Sequence, residues 1–380
     1  MNEPIECPFV DGARTYWKNL VVPCCWIQTD ISTNPPKTLN DYENNHWIKS
    51  LKTNLKNGIK DDRCWKCWKN EKAGSYSLRK EGFEFKESKK IDNKPFSFLD
   101  LKLGNKCNLL CRMCDSHSSS SIDNELKNNL HLNWDISLDK YYVHDYDVYE
   151  NKKLYEEIKS HVDEIKTIKF TGGEPTLIKK VHELIGWLVE NNYSKNIHIY
   201  LTTNNTNKSM KLYDDMKKFK SAQINVSVDG TDDYYNYIRY PFTWDKFKKN
   251  LDNLKLYKSE NFNVCLQTAV SVLNIMNVKD LEKWANQENI DIDFDHVYHP
   301  HWYNVLNLPK KSKKNIIKYL ENADEKVIES KLLNKIVESF DENNQESLKA
   351  LINDTQLKDG LRNQDGQFIF DKLDIEYQKT

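Results

Sequence analysis

The stretch SFLDLKLGNKCNLLCRMC, residues 97–114, runs from a strand pattern straight into three cysteines. Leu99, Leu101 and Leu103 alternate with Phe98, Asp100 and Lys102, the period-two signature of a strand. Cys107, Cys111 and Cys114 follow in C-x3-C-x2-C spacing. Three thiolates at that spacing can hold a metal centre, and spacing alone leaves its kind open. Zinc with His117 as fourth ligand is one reading. The other is an iron–sulfur cluster short of one protein ligand, which leaves an iron open to a small molecule.

Outward from this stretch, strands alternate with helices. TIKF (167–170) leads into a Gly-Gly turn, and the next segment places Leu177, Val181, Leu184, Ile185 and Leu188 on one helical stripe. NIHIYLTTNN, QINVSVDG, NVCLQTAVSV and IDIDFDHVYH are further strand candidates. Helical patterns such as SMKLYDDMKKF, WDKFKKNLDNLKLY and VKDLEKWANQE separate most of them. Six successive βα units predict parallel strands joined by right-handed crossovers, hence an α/β sheet or partial barrel. The cysteines then fall at the C-terminal mouth, where such barrels place their chemistry. FTGGEPTL ends the next strand there. Gly172 and Gly173 permit close backbone approach, and Glu174 presents a carboxylate. In QINVSVDG, Ile224, Val226 and Val228 point one way and Asn225, Ser227 and Asp229 the other. A polar face inside a small barrel is costly unless it meets a polar ligand or water.

The 380 residues suffice for a large α/β domain and a smaller one. With 56 basic and 57 acidic side chains the net charge is −1, which argues against a general nucleic-acid binder. No apolar run is long enough to span a membrane, and MNEPIECPFV lacks the features of a signal peptide. A cytoplasmic setting is expected, where nine free cysteines point to metal rather than disulfides. Residues 1–95 read as a separate unit. TYWKNLVVPCCWI is a hairpin turning at Lys18-Asn19, and RKEGFEFKESKKIDNKP looks like a charged connector. Cys7, Cys24, Cys25, Cys64 and Cys67 form a second constellation, suited to structural zinc or a fully ligated cluster. The barrel is expected over 96–308 and a helical extension over 309–380.

CNLLCRMC followed one βα unit later by TGGEP resembles the radical S-adenosylmethionine (SAM) enzymes. The resemblance implies a partial (βα)6 TIM-like radical SAM barrel with an N-terminal auxiliary-cluster domain and a helical C-terminal extension. It implies a 4Fe–4S cluster on Cys107, Cys111 and Cys114, with SAM as the missing ligand. Gly172, Gly173 and Glu174 would then bind SAM, Ser227 and Asp229 would lie near its ribose, and Thr203 and Asn204 would line the same mouth. Arg239 of YIRYP would approach the SAM carboxylate or the substrate. The N-terminal cysteines resemble the twitch module, a short SPASM-type domain, which implies an auxiliary 4Fe–4S cluster on Cys7, Cys24, Cys64 and Cys67. That module usually follows the barrel, whereas here it precedes it. Asn19 stands where family members often carry glycine, and the count from it selects Cys24 over Cys25. Cys265, on the inward face of its strand, is a candidate hydrogen-atom donor or a plain buried thiol. His296, His299 and His301 line the substrate side or a surface loop. The implied partners are a flavodoxin- or ferredoxin-type reductant and a substrate peptide, protein side chain or small polyol. The contrasting reading is a cysteine-rich zinc-binding interaction module without SAM chemistry.

Overall fold

The computed structural model describes residues 3–17, 19–72, 76–132, 151–321, 336, 337, 339 and 345–377. Eight strands form one open sheet: β1 (Ala13–Trp17), β2 (Leu20–Val22), β3 (Phe98–Lys102), β4 (Thr167–Thr171), β5 (His198–Thr203), β6 (Ser221–Ser227), β7 (Phe262–Val270) and β8 (Asp291–His296). Their order is β2-β1-β3-β4-β5-β6-β7-β8. From β1 through β3 to β8 every neighbouring pair is parallel, and only β2 runs antiparallel, against β1. The six strands expected from alternation are β3–β8, and the sheet is a partial barrel because β2 and β8 remain its edges.

The N-terminal hairpin does not stand apart from this sheet. Thr15 pairs with Asp100 and Tyr16 with Leu101, so β1 extends the barrel past β3. Asn19 takes a positive φ of 59° in the hairpin turn, a conformation asparagine tolerates; Lys18 lies outside the described residues. The charged stretch expected as a connector is instead the helix Leu78–Glu87, capped by Ser77, whose hydroxyl accepts from Lys80 N–H. Composition hid it, because most of its residues are charged. Its apolar contacts are made by Leu78 and Phe85 against Phe9, Ala13, Ile91 and Phe98. Phe85 stacks on Phe98 at 5.6 Å and Phe9 meets Phe98 edge-on at 5.5 Å. Gly82 makes this packing possible, since a Cβ there would stand 3.0 Å from the Phe9 ring.

Alternation gives the sheet two unlike faces. Leu99, Leu101, Ile168, Phe170, Ile199, Leu201, Ile224, Val226, Val264 and Leu266 are buried on the outer face. They belong to one core with Val181, Leu184, Ile185 and Leu188 of the helix Lys179–Glu190 and with Phe247 and Leu251 of the helix Trp244–Lys255. Each such side chain stabilises the fold by about 1.5–3 kcal/mol when removed from water. The other face carries Asp100, Lys169, Tyr200, Gln223, Asn225, Cys265 and Gln267 in register. A second core joins the far strand ends to the helices Lys310–Leu320, Gln345–Arg362 and Gln367–Leu373. No helix among the described residues is long and apolar enough to cross a membrane.

Phe98 holds the aromatic layer that joins the N-terminal elements to the barrel. Phe98→Ala is expected to lower unfolding free energy by about 3–5 kcal/mol in denaturant titration.

Candidate functional site

Cys107, Cys111 and Cys114 occupy the loop that leaves β3. Three separate sets of hydrogen bonds hold that loop. The first comes from the Gly-Gly-Glu turn after β4. Glu174 N–H donates to Lys106 O at 2.7 Å, and a Cβ on Gly173 would stand 2.6 Å from that same oxygen. Gly173 also has a φ of 50°, so glycine answers both the approach and the backbone conformation. The buried Glu174 carboxylate accepts from Thr176 N–H (3.0 Å), Thr176 Oγ1 (2.7 Å), Thr203 Oγ1 (2.8 Å) and Asn204 N–H (2.6 Å). Glu174 therefore binds the end of β5 to the turn, rather than presenting a spare carboxylate at the mouth. Asn204 in turn donates to Asn108 Oδ1 at 3.1 Å and stands 3.7 Å from Cys107 Sγ.

The second set comes from YIRYP. Leu110 N–H donates to Tyr240 O at 2.7 Å and Arg112 N–H to Ile238 O at 3.0 Å. Arg239, between those two carbonyls, pairs with Asp229 at 2.7 Å. Asp229 also accepts from Ala269 N–H at 2.9 Å, which fixes it between β6 and β7. Burial pushes the Cys111 thiol up to about 12, and the nearby Arg239 charge opposes that rise. Burial likewise raises Cys107 and Cys114. The thiols are therefore protonated near neutrality, and a bound metal would displace their protons.

The third set comes from the C-terminal helix Gln345–Arg362. Arg112, inside the cysteine run, is wholly buried, stacks over Tyr237 at 3.7 Å and pairs with the equally buried Asp359. Its guanidinium also donates to Gln364 Oε1 at 2.9 Å, and Lys358 donates to Arg112 O at 3.0 Å. Arg362 donates to Leu110 O at 2.9 Å while pairing with Glu125 at 2.6 Å. The extension in which the sequence suggested no chemistry is thus the brace of the cysteine loop. Arg112 was visible among the cysteines, but nothing local pointed to a partner 247 residues later.

The residues at this mouth suit a group with a carboxylate. Arg239 Nε is buried without a hydrogen-bond partner among the described residues, and it lies beside Cys111. Ser227 ends β6 in register with Gln267, on the inner face that also carries Cys265. Cys265 Sγ lies 3.5 Å from Asp293 Oδ2. His299 and His301 are exposed beyond β8.

A second site forms from the N-terminal elements. Cys7, Cys24, Cys64 and Cys67 line one small cavity with Phe9, Trp26, Ile27, Leu55, Trp68 and Arg79. Burial pushes Cys7 and Cys64 up to about 12, and neighbouring thiols add to the rise. Cys25 is not among the lining residues. The charges acting on it are chiefly those of Asp100, Lys169 and Lys102 on the barrel strands and of Glu81 on the helix Leu78–Glu87. The adjacent cysteines thus face different sites. No three of the described His, Cys, Asp and Glu side chains are arranged to hold a single metal ion; the four thiols ring a space instead.

Asp359→Ala leaves the Arg112 guanidinium buried and unpaired. It is expected to cost about 3–5 kcal/mol in thermal or denaturant unfolding, with faster loss of iron from reconstituted protein.

Comparison with known proteins places this geometry. Residues 101–287 match the Radical SAM superfamily. An uncharacterized protein of Methanocaldococcus jannaschii is 28% identical over 244 residues, which cover 63% of this chain and 70% of the relative. Among solved structures, native anSMEcpe with bound AdoMet is 22% identical with a TM-score of 0.43, over 60% of each chain. SuiB of Streptococcus suis is 15% identical with a TM-score of 0.40, over 78% of this chain and 62% of that one. The chain spans less than two thirds of either structure's length, and likeness at these scores carries no argument. The superfamily match, however, encloses the cysteine loop, the Gly-Gly-Glu turn and the Asp229–Arg239 pair. Through it, residues 101–287 of this chain are a domain of the radical SAM superfamily of enzymes.

Proposed function

We propose that the protein cleaves SAM reductively at a 4Fe–4S cluster held by Cys107, Cys111 and Cys114, and uses the product to take hydrogen from a substrate in the barrel. When bound, the cluster and SAM would supply the electron and the 5′-deoxyadenosyl radical; the chain's part is to position, enclose and exclude water. The observation that carries this reading is the cysteine loop held by three elements beside a buried, unpartnered Arg239 Nε. Arg239, fixed by Asp229, would receive the SAM carboxylate. The Gly172–Gly173 backbone would take the amino end, Asn204 would sit alongside Cys107, and Ser227 would face the ribose. Glu174 acts through Thr203 and Asn204 and is a positioning residue.

Cys7, Cys24, Cys64 and Cys67 would hold an auxiliary 4Fe–4S cluster in a twitch-like unit over residues 1–95. Four thiols that line one cavity without being arranged around a single metal ion suit a polynuclear cluster better than one small ion. Such a cluster would receive an electron from the substrate radical, giving net oxidation, with a flavodoxin- or ferredoxin-type protein as the external reductant. The substrate would be a peptide, a protein side chain or a small polyol.

The test is anaerobic reconstitution with iron and sulfide, then reduction beside SAM. Wild-type protein is expected to hold about eight irons and to release 5′-deoxyadenosine. Cys111→Ala should release none, and release at the wild-type rate would refute the assignment. Cys64→Ala should fall to about four irons per chain. Colourless protein with tightly held zinc would instead establish the interaction module.

A further inference from the structure

The open sheet leaves one side of the barrel without a strand. Its edges are β2 and β8, so the lumen opens sideways between them. Side-chain exposure locates that opening along β8. Register places Asp291, Asp293 and Asp295 beside Cys265, Gln267 and Ala269 on the inner face. All three aspartates are exposed, whereas Cys265 on the neighbouring strand is buried. In a closed barrel the inward-facing side chains are covered, and these are not.

One side chain of the N-terminal unit bridges the two edges. Lys66 lies on the helix Trp65–Lys72, between Cys64 and Cys67. Its ammonium is 4.1 Å from the centre of the Trp26 ring and 5.0 Å from that of Tyr298. Trp26 comes four residues after β2 and lines the thiol cavity, and Tyr298 comes two residues after β8. A single cation is thus held between rings that follow the two edge strands. Among the described residues it makes no ion pair and no side-chain hydrogen bond, so the rings are its partners. An ammonium between two ring faces is attracted to both, and more strongly as water leaves. Unlike an apolar contact, it can also part at small cost, because the charged head returns to water on its flexible stem. Such a contact suits a closure that opens.

We propose that Lys66 latches the N-terminal unit over the lateral opening of the barrel, as a positioning residue that joins the thiol cavity to the last strand. Parting the Trp26–Lys66–Tyr298 sandwich admits solvent to the lumen along β8. Calling that lumen a reaction chamber rests on the function proposed above; the latch does not.

The test is thiol labelling of Cys265, which stands on the inner face beside β8 with its Sγ 3.5 Å from Asp293 Oδ2. Reconstituted protein is treated with N-ethylmaleimide without oxygen, and the peptide carrying Cys265 is followed by mass spectrometry. Lys66→Met keeps the side chain's reach and removes its charge, and it should label about 10-fold faster than wild type. Lys66→Arg, whose guanidinium also stacks on rings, should label at close to the wild-type rate. Tyr298→Leu removes one ring outside both cysteine sites and should match Lys66→Met. The double variant should be no faster than either single one, because both remove the same contact. Melting temperature and hydrogen exchange in β4 and β5 check that the change is local. A wild-type rate in Lys66→Met or Tyr298→Leu, additive effects in the double variant, or no protection in Lys66→Arg would overturn the proposal. The expected labelling pattern in a protein that releases no deoxyadenosine would sink the SAM reading and leave the latch standing.

Discussion

The Glu174 carboxylate, buried between β4 and β5, accepts from Thr176, from Thr203 at the end of β5 and from Asn204 just beyond it, while its own N–H reaches back to the cysteine loop. A buried carboxylate is tolerable only when donors surround it, and here the donors come from different strand ends. The position of the cysteine loop follows from it. Asn204 is fixed by its N–H on Glu174 and carries its side chain to Asn108 and Cys107. The Gly-Gly turn approaches that loop so closely that no Cβ fits. The mouth is pre-organised by these contacts, and pre-organisation is what a reactive intermediate requires of its container.

Around that mouth the chain builds outward in both directions. The N-terminal residues supply a strand to the barrel edge, an aromatic floor and a cavity ringed by thiols. The C-terminal helix supplies Lys358, Asp359 and Arg362 to the backbone and side chains of the cysteine loop. Both ends of the sequence thus converge on the central domain. Fully buried pairs such as Arg112–Asp359 contribute less to net stability than their geometry suggests, because desolvation offsets attraction. Their effect is to fix one arrangement of the loop.

The two neighbouring thiols Cys24 and Cys25 show how a short segment serves two sites. Cys24 lines the N-terminal cavity, and Cys25 meets the charges of the barrel lumen. The strand β2 and Pro23 deliver both to the boundary between the two compartments.

The six barrel strands, their polar and apolar faces, and the pairing of the cysteine triplet with TGGEP were legible because they are local. Period-two alternation and fixed motif spacing are written within a few residues. Three things were decided only by tertiary structure. Leu78–Glu87 reads as a charged linker because its few apolar contacts, Phe85 on Phe98 among them, face elements distant in sequence. Glu174 reads as a ligand, yet the strand ends folded around it make it a brace. Arg112 and Asp359 are unremarked surface-type residues until the chain brings them together, since the energy of a buried ion pair depends on a distance that no local pattern encodes.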